Sequence, residues 1–305
     1  MQKKIILLAG PTASGKSKLA IKLAKKINGE IVNADSMQIY KEFSILSSRP
    51  SKKDLREINH HLYGFLSVKK RFSAGNWLKL AKIQINKIHR KKKIPIIVGG
   101  TGLYFKTITQ GISKIPYINK IKRKKIVDIF NKYGKEEFYR KLIKLDPKIK
   151  NKILPSDTQR LIRAYEVKSY TKKSLYEWSN KTKSDFENFN IKKIYLDIPR
   201  DILLKNIEQR TALMFKKKCI MEVVQFLKIK LEKSLSANKM IGVREIKDYL
   251  SGLYSLDDTQ RFINIKTRQY AKRQNTWYRG HMNNWNKLYS KDFSVLLKKT
   301  LKEVS

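Results

Sequence analysis

Lys3-Lys4-Ile5-Ile6-Leu7-Leu8-Ala9 runs directly into Gly10-Pro11-Thr12-Ala13-Ser14-Gly15-Lys16-Ser17, and a helix-forming run follows from Lys18 to Lys26. The order is apolar strand, G-x-x-x-x-G-K-[ST], helix. Gly10 and Gly15 permit tight, partly left-handed backbone, so successive N–H groups can converge on phosphate oxygens. The helix that follows turns its positive dipole end to the same anion. Lys16 adds a mobile cation, and the Ser17 hydroxyl is placed to ligate Mg²⁺. Gly10–Ser17 therefore predicts a site for a di- or triphosphate.

Working outward, Glu30-Ile31-Val32-Asn33-Ala34 reads as a second strand ending at Asp35. Lys93-Ile94-Pro95-Ile96-Ile97-Val98 reads as a third, closed by Gly99-Gly100-Thr101-Gly102 and followed by a helical Leu103–Gln110. Continuous apolar strands separated by helices predict an α/β fold of the P-loop type, a parallel sheet flanked by helices on both faces. In such sheets ligands sit beyond the strand carboxyl ends. Gly10–Ser17, Asp35 and Thr101 all occupy such ends.

From Lys114 to Asn190 the pattern changes to basic, helix-like segments broken by Pro116, Pro147 and Pro155. A strand signal returns at Lys193–Asp197, followed by a long helical pattern from Asp201, and the tail from Ala237 is helical and basic. The expected organisation is a discontinuous α/β core, 1–113 with 191–305, and a helical insertion domain at 114–190.

The chain has 305 residues, 69 Lys and Arg against 25 Asp and Glu, and a formal net charge of +44. That excess favours a polyanionic partner through counterion release. Lys, Ile and Asn abound everywhere, turns and helix surfaces included, so part of the charge is compositional background. The single Cys219 excludes an internal disulfide and a multi-Cys zinc site. The first apolar run is too short for a signal peptide, and no stretch approaches a membrane span, so a cytoplasmic location is expected.

Four segments have chemical potential with a structural alternative beside each. Asp35, ahead of Ser36-Met37-Gln38-Ile39-Tyr40, can hold Mg²⁺ through water or accept a substrate proton; it can also cap a helix. Gly99–Gly102 allows close ligand approach, or simply a tight turn. Asp157–Glu166 looks like a capped helix with Arg160 and Arg163 on one face, for phosphate contact or for solvent. Thr267–Arg279 interleaves cations, amides and aromatics, which suits phosphate contact with base stacking, or a core helix anchored by Tyr270 and Trp277. Adjacent His60 and His61 point apart on regular structure and make a poor metal pair.

Taken together these segments resemble the tRNA dimethylallyltransferase family. The matches are G-P-T-A-S-G-K-S at Gly10–Ser17, D-S-M-Q-I-Y at Asp35–Tyr40, H-H-L at His60–Leu62, F-S-A at Phe72–Ala74, V-G-G-T-G-L-Y at Val98–Tyr104, Q-R-L-I-R-A at Gln159–Ala164 and Y-A-K-R-Q-N-T-W-Y-R at Tyr270–Arg279. They occur in family order across nearly the whole chain. The resemblance implies transfer of a dimethylallyl group from dimethylallyl diphosphate to N6 of the adenosine 3′ of the tRNA anticodon, by a monomer that binds the anticodon stem-loop and uses Mg²⁺. It implies that Gly10, Pro11, Thr12, Ala13, Ser14, Gly15, Lys16 and Ser17 hold the diphosphate, with Ser17 on the metal. Asp35, Thr101 and Arg210 take the catalytic roles, Asp35 as base. Asp35, Ser36, Met37, Gln38 and Thr101 meet the flipped nucleotide, and Arg123, Gln159, Arg160, Leu161, Ile162 and Arg163 meet the tRNA.

Some positions depart from the family pattern. Asn206 stands at a usual arginine, which predicts a weaker phosphate grip there or help from a neighbouring lysine. Lys218 stands at a usual glycine at a helix end, Ser47-Ser48-Arg49-Pro50 replaces Thr-x-Lys-Pro, and Val243 replaces a common aromatic. No C-terminal zinc finger is found, which points to the bacterial type. Two rival readings share the loop: a P-loop kinase or ATPase acting on a small metabolite, and a non-catalytic RNA-binding protein. The first has no need of the basic insertion and tail, and intact Lys16, Ser17 and Asp35 argue against the second.

Overall fold

The structure is a computed structural model and describes residues 2–180, 182–232 and 234–305. They form two compact units, one comprising the chain up to Ile108 together with Asn188–Ser305, the other Thr109–Glu187. The breaks fall a few residues before the expected 113/114 and 190/191.

In the first unit the chain forms β1 (Lys4–Ala9), α1 (Lys16–Lys26), β2 (Gly29–Asn33), α2 (Lys52–Glu57), β3 (His60–His61), α3 (Ala74–Arg90), β4 (Ile94–Gly99) and α4 (Gly102–Gln110), the last two residues of α4 belonging to the second unit. The second unit holds α5 (Lys120–Leu145), α6 (Thr158–Thr171) and α7 (Leu175–Ser179). The first unit resumes with β5 (Asn190–Leu196), α8 (Arg200–Lys216), α9 (Cys219–Leu227), α10 (Val243–Leu250), α11 (Leu256–His281), β6 (Asn286–Leu288) and α12 (Phe293–Val304).

All six strands are parallel, in the order β3-β2-β4-β1-β5-β6. β1 lies between β4 and β5, with Ile6 opposite Ile96 and Leu8 opposite Ile194. Ile5, Ile6, Leu7 and Leu8 are fully buried, as an unbroken apolar strand covered on both faces requires. Each such side chain contributes about 1.5–3 kcal/mol of burial. On one face, Leu19 and Leu23 of α1 and Leu296 of α12 pack on Ile6, Leu8, Ile96 and Ile194.

The edge strands β3 and β6 were not expected from the sequence. His60-His61 has no apolar run to mark it, and β3 forms because β2 offers an open edge. There His61 Nε2 lies 2.7 Å from Glu30 Oε2 and His60 Nδ1 lies 2.8 Å from the Ile58 carbonyl.

A second apolar cluster of the same unit joins the 39–46 segment to the helices after β5, with Phe43, Leu46, Met214, Val223, Met240 and Ile263 among its members. The other unit has its own core, where Ile126, Phe138 and Leu142 of α5 pack against Leu161 and Ala164 of α6. α5 is interrupted at Gly134, whose φ of 71° is non-helical. Among the described residues no helix is long and apolar enough to cross a membrane.

Candidate active site

The loop after β1 is built to leave amide groups unpaired. Gly15 caps α1 with a φ of 80° and gives it no side-chain acceptor, so the first N–H groups of α1 remain available to an anion. Ala13 also holds a left-handed φ of 61°, a conformation that costs a non-glycine residue about 1–2 kcal/mol. Ser14 Oγ is buried with no hydrogen-bond partner in the protein. A buried hydroxyl left this way fits a site completed by a ligand.

Lys16 folds back on this loop, its Nζ donating to the Pro11 carbonyl at 3.0 Å. Burial lowers its pKa to about 8; Asp35 works against that fall and Arg210 adds to it. Burial lowers the Arg210 pKa as well, again opposed by Asp35. Arg210 is nevertheless tightly held: Nε donates to Ser48 Oγ at 2.8 Å, Nη2 to the Leu46 carbonyl at 3.3 Å, and Nη1 to Thr12 Oγ1. Asn206 Nδ2 donates to the Ala13 carbonyl at 3.0 Å. Where a second phosphate-gripping cation was in question, the structure has an amide that braces the strained loop.

Asp35 follows β2 and caps no helix. Its Oδ1 accepts the Met37 N–H at 2.9 Å, and its own N–H donates to Asn33 Oδ1 at 2.8 Å. Asn33 Nδ2 in turn donates to the Asp35 and Leu62 carbonyls, both at 3.0 Å. Thr101 locks the same segment from β4: its Oγ1 accepts the Ser36 N–H at 2.9 Å, and its N–H donates to the Ala34 carbonyl at 3.1 Å. Gly99 makes that approach possible, because a Cβ there would overlap the Ala34 carbonyl group.

These pieces open on one cavity of about 510 Å³. Thr12–Ser17, Asp35, Met37, Gln38 and Arg210 line it on the polar side; Leu46, Met214, Met240, Ile241 and Ile263 form an apolar wall. Gly10, Pro11, Ser36 and Thr101 are not among its lining residues and support those that are. Gln38 is aimed by its Nε2, which donates to the Ser47 and Ser48 carbonyls at 2.9 and 3.1 Å. Asp35 is the carboxylate that lines the cavity, and Ser17 is one of its hydroxyls, beside Thr12, Ser14, Ser47 and Ser48. Among the described residues no group of three His, Cys, Asp or Glu side chains could hold a metal. That sparse set fits Mg²⁺, which takes most of its ligands from phosphate and water.

In the aromatic-cationic segment of α11, the expected core anchors Tyr270 and Trp277 are only half-buried. Tyr270 and Arg273 line the cavity, whereas Tyr278 is buried and Trp277 stacks on His281 with centroids 4.3 Å apart. Sequence reasoning did not single out Gln274, which is 6% exposed. It accepts the Thr12 N–H and donates to the Gly100 carbonyl, each at 2.8 Å, tying the phosphate loop to the turn that carries Thr101. Its signal was its spacing: with Thr267, Ala271 and Tyr278 it falls on the buried stripe of the helix, where a polar side chain must find partners.

The expected tRNA-contacting residues lie in the second unit. Arg123, Gln159 and Arg160 are exposed, Arg160 Nε being 3.3 Å from Asp157 Oδ2. Asp157 caps α6, its Oδ1 accepting the Arg160 N–H at 3.2 Å. Arg163 Nη1 lies 2.8 Å from the buried Glu166. Leu161 requires a correction: it is fully buried and Ile162 packs against the same core, so neither side chain is offered to RNA as Arg160 is. On a helix, five consecutive residues such as 159–163 cannot share one face.

Residues 38–281 match the family described as IPP transferase. A tRNA dimethylallyltransferase of Pelagibacter ubique is 52% identical over 287 residues, 94% of this chain and 92% of that protein. One from Rickettsia massiliae is 42% identical over 307 residues, 99% of this chain and 85% of that protein. Among solved structures, the tRNA isopentenylpyrophosphate transferase of Bacillus halodurans is similar with a TM-score of 0.71 at 29% identity, covering 99% of this chain and 95% of that one. A eukaryotic dimethylallyltransferase acting on tRNA is similar with a TM-score of 0.80 at 30% identity, covering 90% of this chain and 70% of that one. A phosphate loop opening on an aspartate, an arginine and an apolar wall, together with likeness over nearly the whole length, leads to one conclusion: the chain belongs to the IPP transferase family of tRNA dimethylallyltransferases.

Proposed function

We propose that this transferase moves a dimethylallyl group from dimethylallyl diphosphate to N6 of the adenosine 3′-adjacent to the anticodon of tRNA, releasing diphosphate. The observation that carries the reading is the composition of this cavity: amides and cations for a diphosphate, a carboxylate for an amine, and an apolar wall for a hydrocarbon tail.

An exocyclic adenine amine is a weak nucleophile because its lone pair is conjugated into the ring. The N6–C1 bond forms as the allylic C1–O bond breaks, and the electron pair of that bond leaves with the diphosphate. The N6 proton goes to Asp35, whose Oδ1 is held by the Met37 N–H, leaving Oδ2 as the accepting atom. Lys16, Arg210 and the loop amides stabilise charge on the departing oxygen where it develops. Ser17 would hold Mg²⁺, which when bound offsets further charge on the diphosphate. Met37 and Gln38 would line the pocket for a base taken out of the anticodon stack, at a cost of a few kcal/mol. Arg123, Arg160 and Arg163 would contact the stem-loop backbone, where their charge displaces counterions, and Gln159 would add a neutral hydrogen bond.

Incubation with radiolabelled dimethylallyl diphosphate, unmodified tRNA and Mg²⁺ tests the reading. Label should transfer to tRNA. Asp35→Asn should slow turnover about 10²–10⁴-fold with little change in tRNA affinity. ATP turnover without prenyl transfer would mean a P-loop kinase or ATPase instead, and an unimpaired variant removes Asp35 as the base.

A further inference from the structure

Glu222 of α9 lies outside every motif identified in the sequence, yet its carboxylate has four hydrogen-bond donors. Oε1 accepts the Ser44 N–H at 2.6 Å, the Ser44 hydroxyl at 2.9 Å and the Ile45 N–H at 2.8 Å. Oε2 accepts the Leu46 N–H at 2.9 Å. These three amides open a helical turn in which the Ser48 N–H returns to the Ile45 carbonyl at 2.9 Å and the Arg49 N–H to the Ser44 carbonyl at 3.1 Å. The first N–H groups of such a turn have no upstream carbonyl, and an ionised carboxylate satisfies all three at once.

The far side of the same turn faces the cavity. The Leu46 carbonyl and Ser48 Oγ hold Arg210, and the Ser47 and Ser48 carbonyls hold Gln38. Ser48 keeps a left-handed φ of 52°, a geometry that persists only when its surroundings impose it. One carboxylate therefore fixes the turn that aims a side chain into each half of the site.

We infer that Glu222 is a positioning residue of the transfer reaction, setting through the 44–48 turn both the arginine that meets the diphosphate and the glutamine that meets the nucleobase. The inference rests on the reading of the cavity given above. Glu222→Gln keeps size and removes one acceptor; with its carbonyl toward Ser44 and Ile45, its NH₂ faces the Leu46 N–H, so two donors meet.

The test is a cycle of Glu222→Gln, Arg210→Ala and the double variant, with dimethylallyl diphosphate binding read by calorimetry and kcat and KM by prenyl transfer. Wild-type binding comes first: if the wild type does not bind the diphosphate, the functional reading fails before the inference is reached. Given binding, Glu222→Gln should weaken it about tenfold and raise the KM for an anticodon stem-loop. In the Arg210→Ala background the same substitution should weaken diphosphate binding less than about twofold, because its effect passes through Arg210. Glu222→Asp keeps the charge but withdraws it by one methylene, and it gives the same cycle if the amide impairs folding. Equal effects in both backgrounds, or wild-type binding with only a lowered unfolding temperature, overturn the inference.

Discussion

Lys16→Met should make the unliganded protein more stable while removing its grip on the diphosphate. Burial holds the Lys16 ammonium at a pKa of about 8 against an ordinary 10.5. A base whose pKa falls on folding is more easily deprotonated folded than unfolded, so below pH 8 its charge opposes folding. The two values bound that cost at about 3 kcal/mol at pH 7. The 3.0 Å bond from Nζ to the Pro11 carbonyl offsets part of it. The substitution should therefore stabilise by about 1–3 kcal/mol, or a few degrees in Tm.

The sign of the pH dependence follows from the same values. Unfolded chains keep the proton up to pH 10.5 and folded ones only up to about 8, so wild-type stability rises across that window and the variant's advantage shrinks. Urea unfolding of both proteins without ligand at pH 7, 9 and 10.5 measures the difference, and groups common to both cancel. Added dimethylallyl diphosphate should stabilise the wild type with the logarithm of ligand over Kd and the variant far less. A variant less stable than the wild type at pH 7, or an advantage constant with pH, refutes the desolvation argument.

Other perturbations read other parts of the molecule. Gly99→Ala places a Cβ against the Ala34 carbonyl, where the three nearest atoms are all backbone, and should cost about 2–4 kcal/mol by urea unfolding. Lys218→Gly relieves a left-handed residue at φ 64° between α8 and α9; a rise of about 0.5–1 kcal/mol, seen as a higher urea midpoint at constant slope, is expected. Arg160→Ala should weaken tRNA binding and reduce its salt dependence by about one ion, measured by titration between about 50 and 200 mM salt. An unchanged slope would take Arg160 off the phosphates.

Much of the fold was legible because its signals are local. A buried parallel strand must be apolar throughout, and β1, β4 and the body of β2 announce themselves in that way. The phosphate loop is equally local, since its geometry resides in consecutive residues and in glycine at position 15. At Lys218 the sequence showed only a departure from a usual glycine at a helix end, and the structure supplied the left-handed φ of 64°. What stayed hidden depends on partners distant in the chain. β3 exists only because β2 has an open edge, and β6 only because β5 has one.

Sequence alone determined the phosphate loop, the central strands, the helical insertion and the candidate aspartate, because each is written in adjacent residues or in a short period. The tertiary structure decided the rest of the site. It gathered Met214, Met240, Ile241 and Ile263 into the apolar wall and set Gln274 between Thr12 and Gly100. It brought Glu222 to a turn some 180 residues earlier in the chain and withdrew Leu161 into a core. A side chain's partner across the fold is chosen by packing and by the need to satisfy buried polar groups, and neither leaves a periodic mark on the chain.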